Sequence, residues 1–266
     1  MHIIVCVKQV PDTNEVRIDP VKGTLIRDGV PSILNPDDAN ALEGALAIKD
    51  SVEGTRVSVV SMGPPQATAM LRECLAMGAD AAYLLSSRVF GGADTYATST
   101  TLAAGIRKIE EVSGRADLVF AGRQAIDGDT AQVGPQVAMR LDLPVVSYVQ
   151  NIRELKPSSV IVERQLEDGF EVVEVQSPCV LTMVKELNQP RYMTVRGIVD
   201  ACSQEIVIWD DLAVEVSPDQ CGLKASPTQV FRSFTPPPKD PGEILQGNPG
   251  EVASLLINRL RKTHAL

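Results

Sequence analysis

The residues best suited to chemistry in this chain lie in one stretch, Gly122-Arg123-Gln124-Ala125-Ile126-Asp127-Gly128-Asp129-Thr130-Ala131-Gln132-Val133. Glycines, acids, a threonine and an arginine sit close together, with no nucleophile–base pair among them. Their types suit holding a ligand rather than cutting a bond. Asp117 to Ala121 just before them is an apolar run that reads as a buried strand. Val133, Val137 and Leu141 just after them share one helix face. A strand end followed by a helix N-terminus is where open α/β sheets bind ligands. Free N–H groups and the positive end of the helix dipole there suit phosphate oxygens. The stretch reads as a nucleotide cradle; the alternative is a loop whose Gly and Asp serve turn geometry alone.

The missing motifs narrow the chemistry further. There is no GxxxxGK[ST] loop and no GxGxxG after the first strand. The two histidines, His2 and His264, are close to the chain ends, so neither a histidine base nor an HExxH metal site is expected. Ser147 and Ser177 lack the context of a nucleophile elbow. No catalytic side chain and no metal are assigned. Any redox work would draw its chemistry from a bound cofactor.

The elements that position the cradle follow a repeating order. Ile3 to Val7 reads as a strand ending at Lys8-Gln9-Val10-Pro11. Lys8 there is either a phosphate partner or a solvated surface lysine. Val16-Arg17-Ile18 and Thr24-Leu25-Ile26 suggest a small hairpin. In Asn35-Pro36-Asp37-Asp38, proline suits a first helical position and Asn35 an N-cap. Asn35 is a plain cap, or a cap whose side chain also faces ligand. Arg56 to Ser61 is a second strand, and Met62-Gly63-Pro64-Pro65 a tight turn before a helix from Ala69 to Met77. Gly63 serves a close backbone approach or is an ordinary turn glycine. Ala81 to Leu85 is a third strand, and Asp94 or Thr95 caps a helix through Ile109.

Four strand–helix alternations predict a parallel sheet covered on both faces. Right-handed crossovers would gather Lys8, Asn35, Gly63, Thr95 and the Gly122–Val133 loop around one crevice. From Pro144 onward, Val145–Leu155, Val160–Gln165 and Phe170–Val175 read as antiparallel edge strands, and Cys179–Val184 as one more core strand. After Glu186 the core pattern fades. Residues 188–193 and 236–241 have little regular structure, Trp209 stands alone, and Val252–Leu260 reads as a closing helix. Ile198, Ile206, Ile208, Trp209 and Phe231 are too apolar to leave in water. Residues 188–266 are therefore expected to form an arm laid over another subunit rather than a disordered tail.

The 266 residues have 44% hydrophobic and 22% charged composition and a net charge of −9, which supports a real core and argues against a nucleic-acid partner. Five scattered cysteines without a CxxC pair point to reduced thiols. No apolar run approaches the ~20 residues of a membrane span, and no signal-peptide pattern opens the chain. A soluble, cytoplasmic protein with no membrane partner is the expectation.

The loop from Gly122 to Pro135 closely resembles the signature of the electron-transfer flavoprotein β subunit. Val7-Lys8-Gln9-Val10-Pro11-Asp12, Asn35-Pro36, Ala76-Met77-Gly78-Ala79-Asp80 and Pro190-Arg191-Tyr192 match it in the same order. The resemblance implies an α/β fold, a mostly parallel doubly wound sheet of the adenine-nucleotide α-hydrolase-like kind with antiparallel edge strands and an extended C-terminal arm. It implies a nucleotide-binding α/β domain over 1–187 and an arm and helix over 188–266 wrapping an α subunit that carries FAD. It also implies a nucleotide in this chain's crevice, held by Cys6, Val7, Lys8, Asn35, Ser61, Met62, Gly63, Thr95, Gly122, Arg123, Gln124, Asp127, Gly128, Asp129, Thr130, Ala131, Gln132 and Val133. Thr130 and the N–H groups after it would face phosphate; Asn35 and the Cys6 backbone would face adenosine.

In the family's housekeeping branch that nucleotide is AMP, and in the electron-bifurcating branch it is a second FAD that takes hydride from NADH. The housekeeping signature carries a third acid where this chain has Gly128, and a threonine-glycine-glutamine where it has Val133-Gly134-Pro135. Glycine there would remove a repulsion of about 1 kcal/mol or more against a second phosphate. Met193-Thr194-Val195-Arg196-Gly197-Ile198 also replaces a leucine- and lysine-rich segment, which sets the chain apart from those that dock on housekeeping acyl-CoA dehydrogenases. The expectation is the bifurcating branch: an electron-transfer subunit oxidising NADH through bound FAD within a complex. Its electrons would go to ferredoxin or flavodoxin and, through the α-subunit FAD, to a flavin dehydrogenase of acyl-CoA or 2-hydroxy acid type. The rivals are an AMP-holding carrier and, from another class, an ATP-pyrophosphate-splitting or nucleotide-sensing α/β domain.

Overall fold

A computed structural model describes residues 1–12, 31–231 and 241–266. The hairpin expected at 16–26 and residues 236–240 lie outside the described residues. A nine-stranded sheet in the order β11-β5-β4-β1-β6-β10-β7-β8-β9 organises residues 1–231. At its centre β1 (His2–Cys6) runs parallel to β4 (Arg56–Met62) on one side and β6 (Leu118–Gly122) on the other. Ile3, Ile4 and Val5 are wholly buried, as a strand covered on both faces requires, which is why its sequence is continuously apolar.

The strand period of two sorts the side chains between two cores. Ile3 and Val5 join Leu42, Leu46 and Leu71 from α1 (Pro36–Ser51) and α2 (Thr68–Met77). Ile4 and Cys6 join Leu102, Ile106 and Val137 from α3 (Thr95–Ser113) and α4 (Val133–Leu141). From β1 the chain builds outward through β4 and β5 (Ala81–Leu85), then returns to place β6 on β1's other side. The strand order therefore reverses between β1 and β6. A crevice beyond the carboxyl ends of these two strands is the binding place of open α/β sheets. A short antiparallel pair, β2 (Gln9–Pro11) and β3 (Ser32–Leu34), leads from β1 into α1.

The edge beyond β6 differs in detail from the sequence expectation. β7 (Val145–Leu155) lies parallel to β10 (Cys179–Met183); only β8 (Ser159–Leu166) and β9 (Gly169–Gln176) extend it in antiparallel fashion. β10 arrives late in the chain and inserts between β6 and β7. The segment after Glu186 is also more ordered than its composition indicates. α5 (Val195–Ser203), capped by Thr194, packs against α2, and Arg72 donates to the carbonyls of Ala201 and Gln204 at 2.5 Å each. β11 (Ile206–Trp209) then adds a parallel strand beside β5, and Trp209 packs against Tyr83 with ring centroids 4.9 Å apart. The short helix α6 (Gly222–Ala225) follows, and the Asp94 carboxylate that caps α3 also accepts the Thr228 N–H at 3.0 Å.

Residues 232–266 form a second compact unit. Its helix α7 (Pro249–Lys262) opens with a capping box between Asn248 and Glu251. Leu255, Leu256 and Ile257 on α7 are exposed. Among the described residues no helix is long and apolar enough to cross a membrane.

Candidate functional site

The candidate site is built from the ends of β1 and β6 and the first turns of α1 and α4. Pro36 opens α1, yet Asn35 at the N-cap position makes no side-chain capping bond. Fully buried, it turns instead to the loop between β6 and α4: Nδ2 donates to the Gln124 carbonyl at 2.8 Å, and Oδ1 accepts the Ile126 N–H at 3.1 Å. Both polar atoms are spent behind the loop, so Asn35 supports the cradle from below. Lys8, just past β1, donates to Asp127 Oδ1 at 2.5 Å. Gln124 donates to Asp129 Oδ1 at 2.8 Å, and the Ala125 carbonyl accepts the N–H groups of Gly128 and Asp129. The loop is fastened at several points.

Its far end has a different character. Asp129 and Ala131 have φ of 49° and 53°, and Gln132 follows at φ −104°, ψ −28°. Left- and right-handed residues in succession turn neighbouring N–H groups toward one side and make an anion-binding concavity. Among the described residues no acceptor meets the N–H groups of Thr130, Ala131, Gln132, Val133 or Gly134. Together with the positive end of α4, these donors fit a phosphate. Thr95 at the start of α3 donates to Gln132 Oε1 at 2.9 Å and accepts from Gln136, so α3 steadies this end.

The remaining expected residues line the same sheet edge with unequal access. Cys6 and Val7 have buried side chains, and burial pushes the Cys6 thiol up to about 12. They offer backbone only. Ser61 is fully buried, its hydroxyl without a partner among the described residues, and Met62 is half-buried. The Gly63 N–H is bonded to the Leu85 carbonyl at 3.1 Å, which makes it the closing link between β4 and β5. The Arg123 N–H bonds to the Met183 carbonyl, and its Nε lies 3.4 Å from Asp37 Oδ2. Desolvation raises Asp37, against the pull of Arg123. A Cβ at Gly128 would meet nothing within 4 Å, so the space beside this glycine is open.

Sequence reasoning missed Asp38. Buried on the first turn of α1, its Oδ2 accepts the Lys8 N–H at 2.8 Å and its Oδ1 the Gly122 N–H at 2.9 Å. Burial lifts its carboxyl to about 7, with the Asn35 side chain and the two backbone donors pulling the other way. Two acids in a helix's first turn are ordinary partners of the dipole, so nothing in the sequence marked this one out.

Residues 22–213 match the family model described as the electron transfer flavoprotein domain. The chain belongs to the electron transfer flavoprotein family. Across its full length it is 64% identical to the caffeyl-CoA reductase–Etf complex subunit CarD of Acetobacterium woodii, also covered in full. It is 54% identical to the electron transfer flavoprotein subunit beta of Clostridium acetobutylicum over 99% of each chain. It is 46% identical, over all of both chains, to the acryloyl-CoA reductase electron transfer subunit gamma of Anaerotignum propionicum. The β-type electron transfer flavoprotein fold and the pinned loop at its switch point thus occur in one chain.

Proposed function

We propose that this chain is the β subunit of an electron-bifurcating electron transfer flavoprotein, with FAD as the nucleotide of its crevice. When bound, that flavin would supply hydride acceptance from NADH and separation of the two electrons, one leaving for ferredoxin or flavodoxin and the other for a flavin dehydrogenase by way of the α-subunit FAD. The N–H groups from Thr130 to Gly134 would take phosphate oxygens, with the Thr130 hydroxyl beside them. Asn35, Lys8 and Asp38 would hold the loop in place. The backbone at Cys6–Lys8 and at Met62–Gly63 would border the adenosine side. None of these residues is needed as an acid or base.

Gly128 carries this reading: its surroundings are open, and an acid there would add to the charge of Asp127 and Asp129 on the same loop. The full-length likeness to a subunit of a caffeyl-CoA reductase–Etf complex supports it. Residues 1–187 would then be the nucleotide-binding part and 188–266 the segment that embraces the α subunit, with α5 and β11 of that segment packed on the sheet unit of this chain. Exposed Tyr192, Val195, Val199, Leu255, Leu256 and Ile257 supply apolar surface for that embrace. A cytoplasmic location accords with five cysteines that are all free thiols. One observation favours the AMP-holding reading instead: Lys8 is engaged by Asp127, which leaves the start of α4 as the place for a single phosphate. Cofactors released from the purified heterodimer separate the two, as two FAD per pair or one FAD with one AMP.

A further inference from the structure

The ends of β1 and β6 pair in register as far as Cys6 and Ala121, and then the chains part. At this parting the N–H groups of Lys8 and Gly122 both point to one carboxylate, that of Asp38. We propose that Asp38 is a positioning residue of the crevice: by joining these two N–H groups it sets the spacing of the strand ends and thereby the seat of the loop at 122–132. This rests on the reading of that loop as the nucleotide cradle.

The geometry gives the carboxylate a role that other side chains fill poorly. It stands on the first turn of α1, a rigid element whose dipole favours a negative charge at that point. Each of its oxygens accepts one donor. An amide in its place would offer one acceptor and turn an NH₂ group toward the other N–H. Gly122 is matched to it, because a Cβ at 122 would run into Asp38 Oδ1 and the Asp37–Asp38 backbone. Asn35, three residues earlier, holds Gln124 and Ile126. The N-cap and first turn of α1 therefore carry the near half of the loop. The charged and titratable groups around Asp38 are Lys8 just past β1, Asp37 beside it with Arg123 just past β6, and the buried thiols of Cys6 and Cys74.

The test uses the heterodimer stripped of nucleotide, as wild type, Asp38→Asn and Leu42→Ala. Leu42 is a fully buried core residue of the same helix, so its variant serves as a control for lost stability. AMP affinity is measured by calorimetry, and amide hydrogen exchange is followed across the chain. The expected result for Asp38→Asn is AMP binding weakened about tenfold, with faster exchange at Ile126, Gly128 and Asp129 and none in β5 or α3. Leu42→Ala should bind AMP as the wild type does. The proposal is overturned if Asp38→Asn keeps AMP affinity within about twofold and the loop amides exchange at the wild-type rate. It is equally overturned if Leu42→Ala loses as much affinity. Should the wild type bind no adenine nucleotide, the nucleotide reading fails, while the exchange data still decide whether Asp38 seats the loop.

Discussion

Asn35 and Ile126, 91 positions apart, are joined by a hydrogen bond of 3.1 Å from the Ile126 N–H to the Asn35 side chain. The same amide donates to Gln124, so the residue that precedes α1 serves as a bracket for the loop after β6. This distinguishes it from a plain helix cap, for which serine is as good as asparagine. Asn35→Ser is predicted to destabilise the chain by about 2 kcal/mol in denaturant unfolding, because two part-buried backbone groups lose the fully buried side chain that bonds them. A change under about 0.5 kcal/mol would show that Asn35 acts as a cap alone.

Lys8 and Asp127 make the loop's exposed tie. Lys8 is 45% exposed, so the pair should contribute under about 1 kcal/mol to stability. Lys8→Ala is predicted to leave the unfolding midpoint nearly unchanged and to weaken AMP binding at low salt, with the difference shrinking as salt is raised. Equal weakening at all salt concentrations would contradict an electrostatic role.

Two buried groups give opposite pH trends. The folded-state Asp38 carboxyl lies at about 7, above the ~3.9 of an unfolded chain. Its contribution is present below about pH 4 and lost as pH rises toward 7. His2, bonded to the Gly114 carbonyl and the Ser58 hydroxyl, is lowered by desolvation. Its contribution is present above its unfolded value and lost as pH falls through the folded one. Asp38→Asn should therefore flatten the decline between about pH 4 and 7, whereas His2→Gln should flatten the loss on the acid side. Unfolding free energies measured from pH 4 to 8 check both signs.

The cysteines differ sharply in access. Burial pushes the thiols of Cys6 and Cys179 up to about 12 and raises those of Cys74 and Cys221, while Cys202 is exposed. Iodoacetamide at neutral pH is predicted to label Cys202 first, the others reacting only after unfolding. Peptide mass spectrometry reads the order directly, and early labelling of Cys6 would contradict the buried strand end.

The sheet was legible because burial on both faces leaves a continuous apolar run, as in Ile3–Val5 and Leu118–Phe120. The crevice was legible because strand and helix alternate, and alternation brings strand ends to one edge. β11 was hidden: four partly exposed residues pair with β5, 124 positions earlier in the chain, and leave no periodic mark. The bracket at Asn35 was hidden for a related reason. An asparagine before a proline is locally a cap, and only the fold brings Gln124 and Ile126 to it. Asp38 carried no mark at all, because acids in a helix's first turn are ordinary, and its role depends on strand ends that are distant in sequence.

The cradle opened at Gly128 is proposed to hold FAD in an electron-bifurcating subunit. Extraction of cofactors from the native heterodimer, with flavin and adenylate counted against protein, tests it most directly. Two FAD per αβ pair and no AMP are expected. One FAD with one AMP would contradict the proposal.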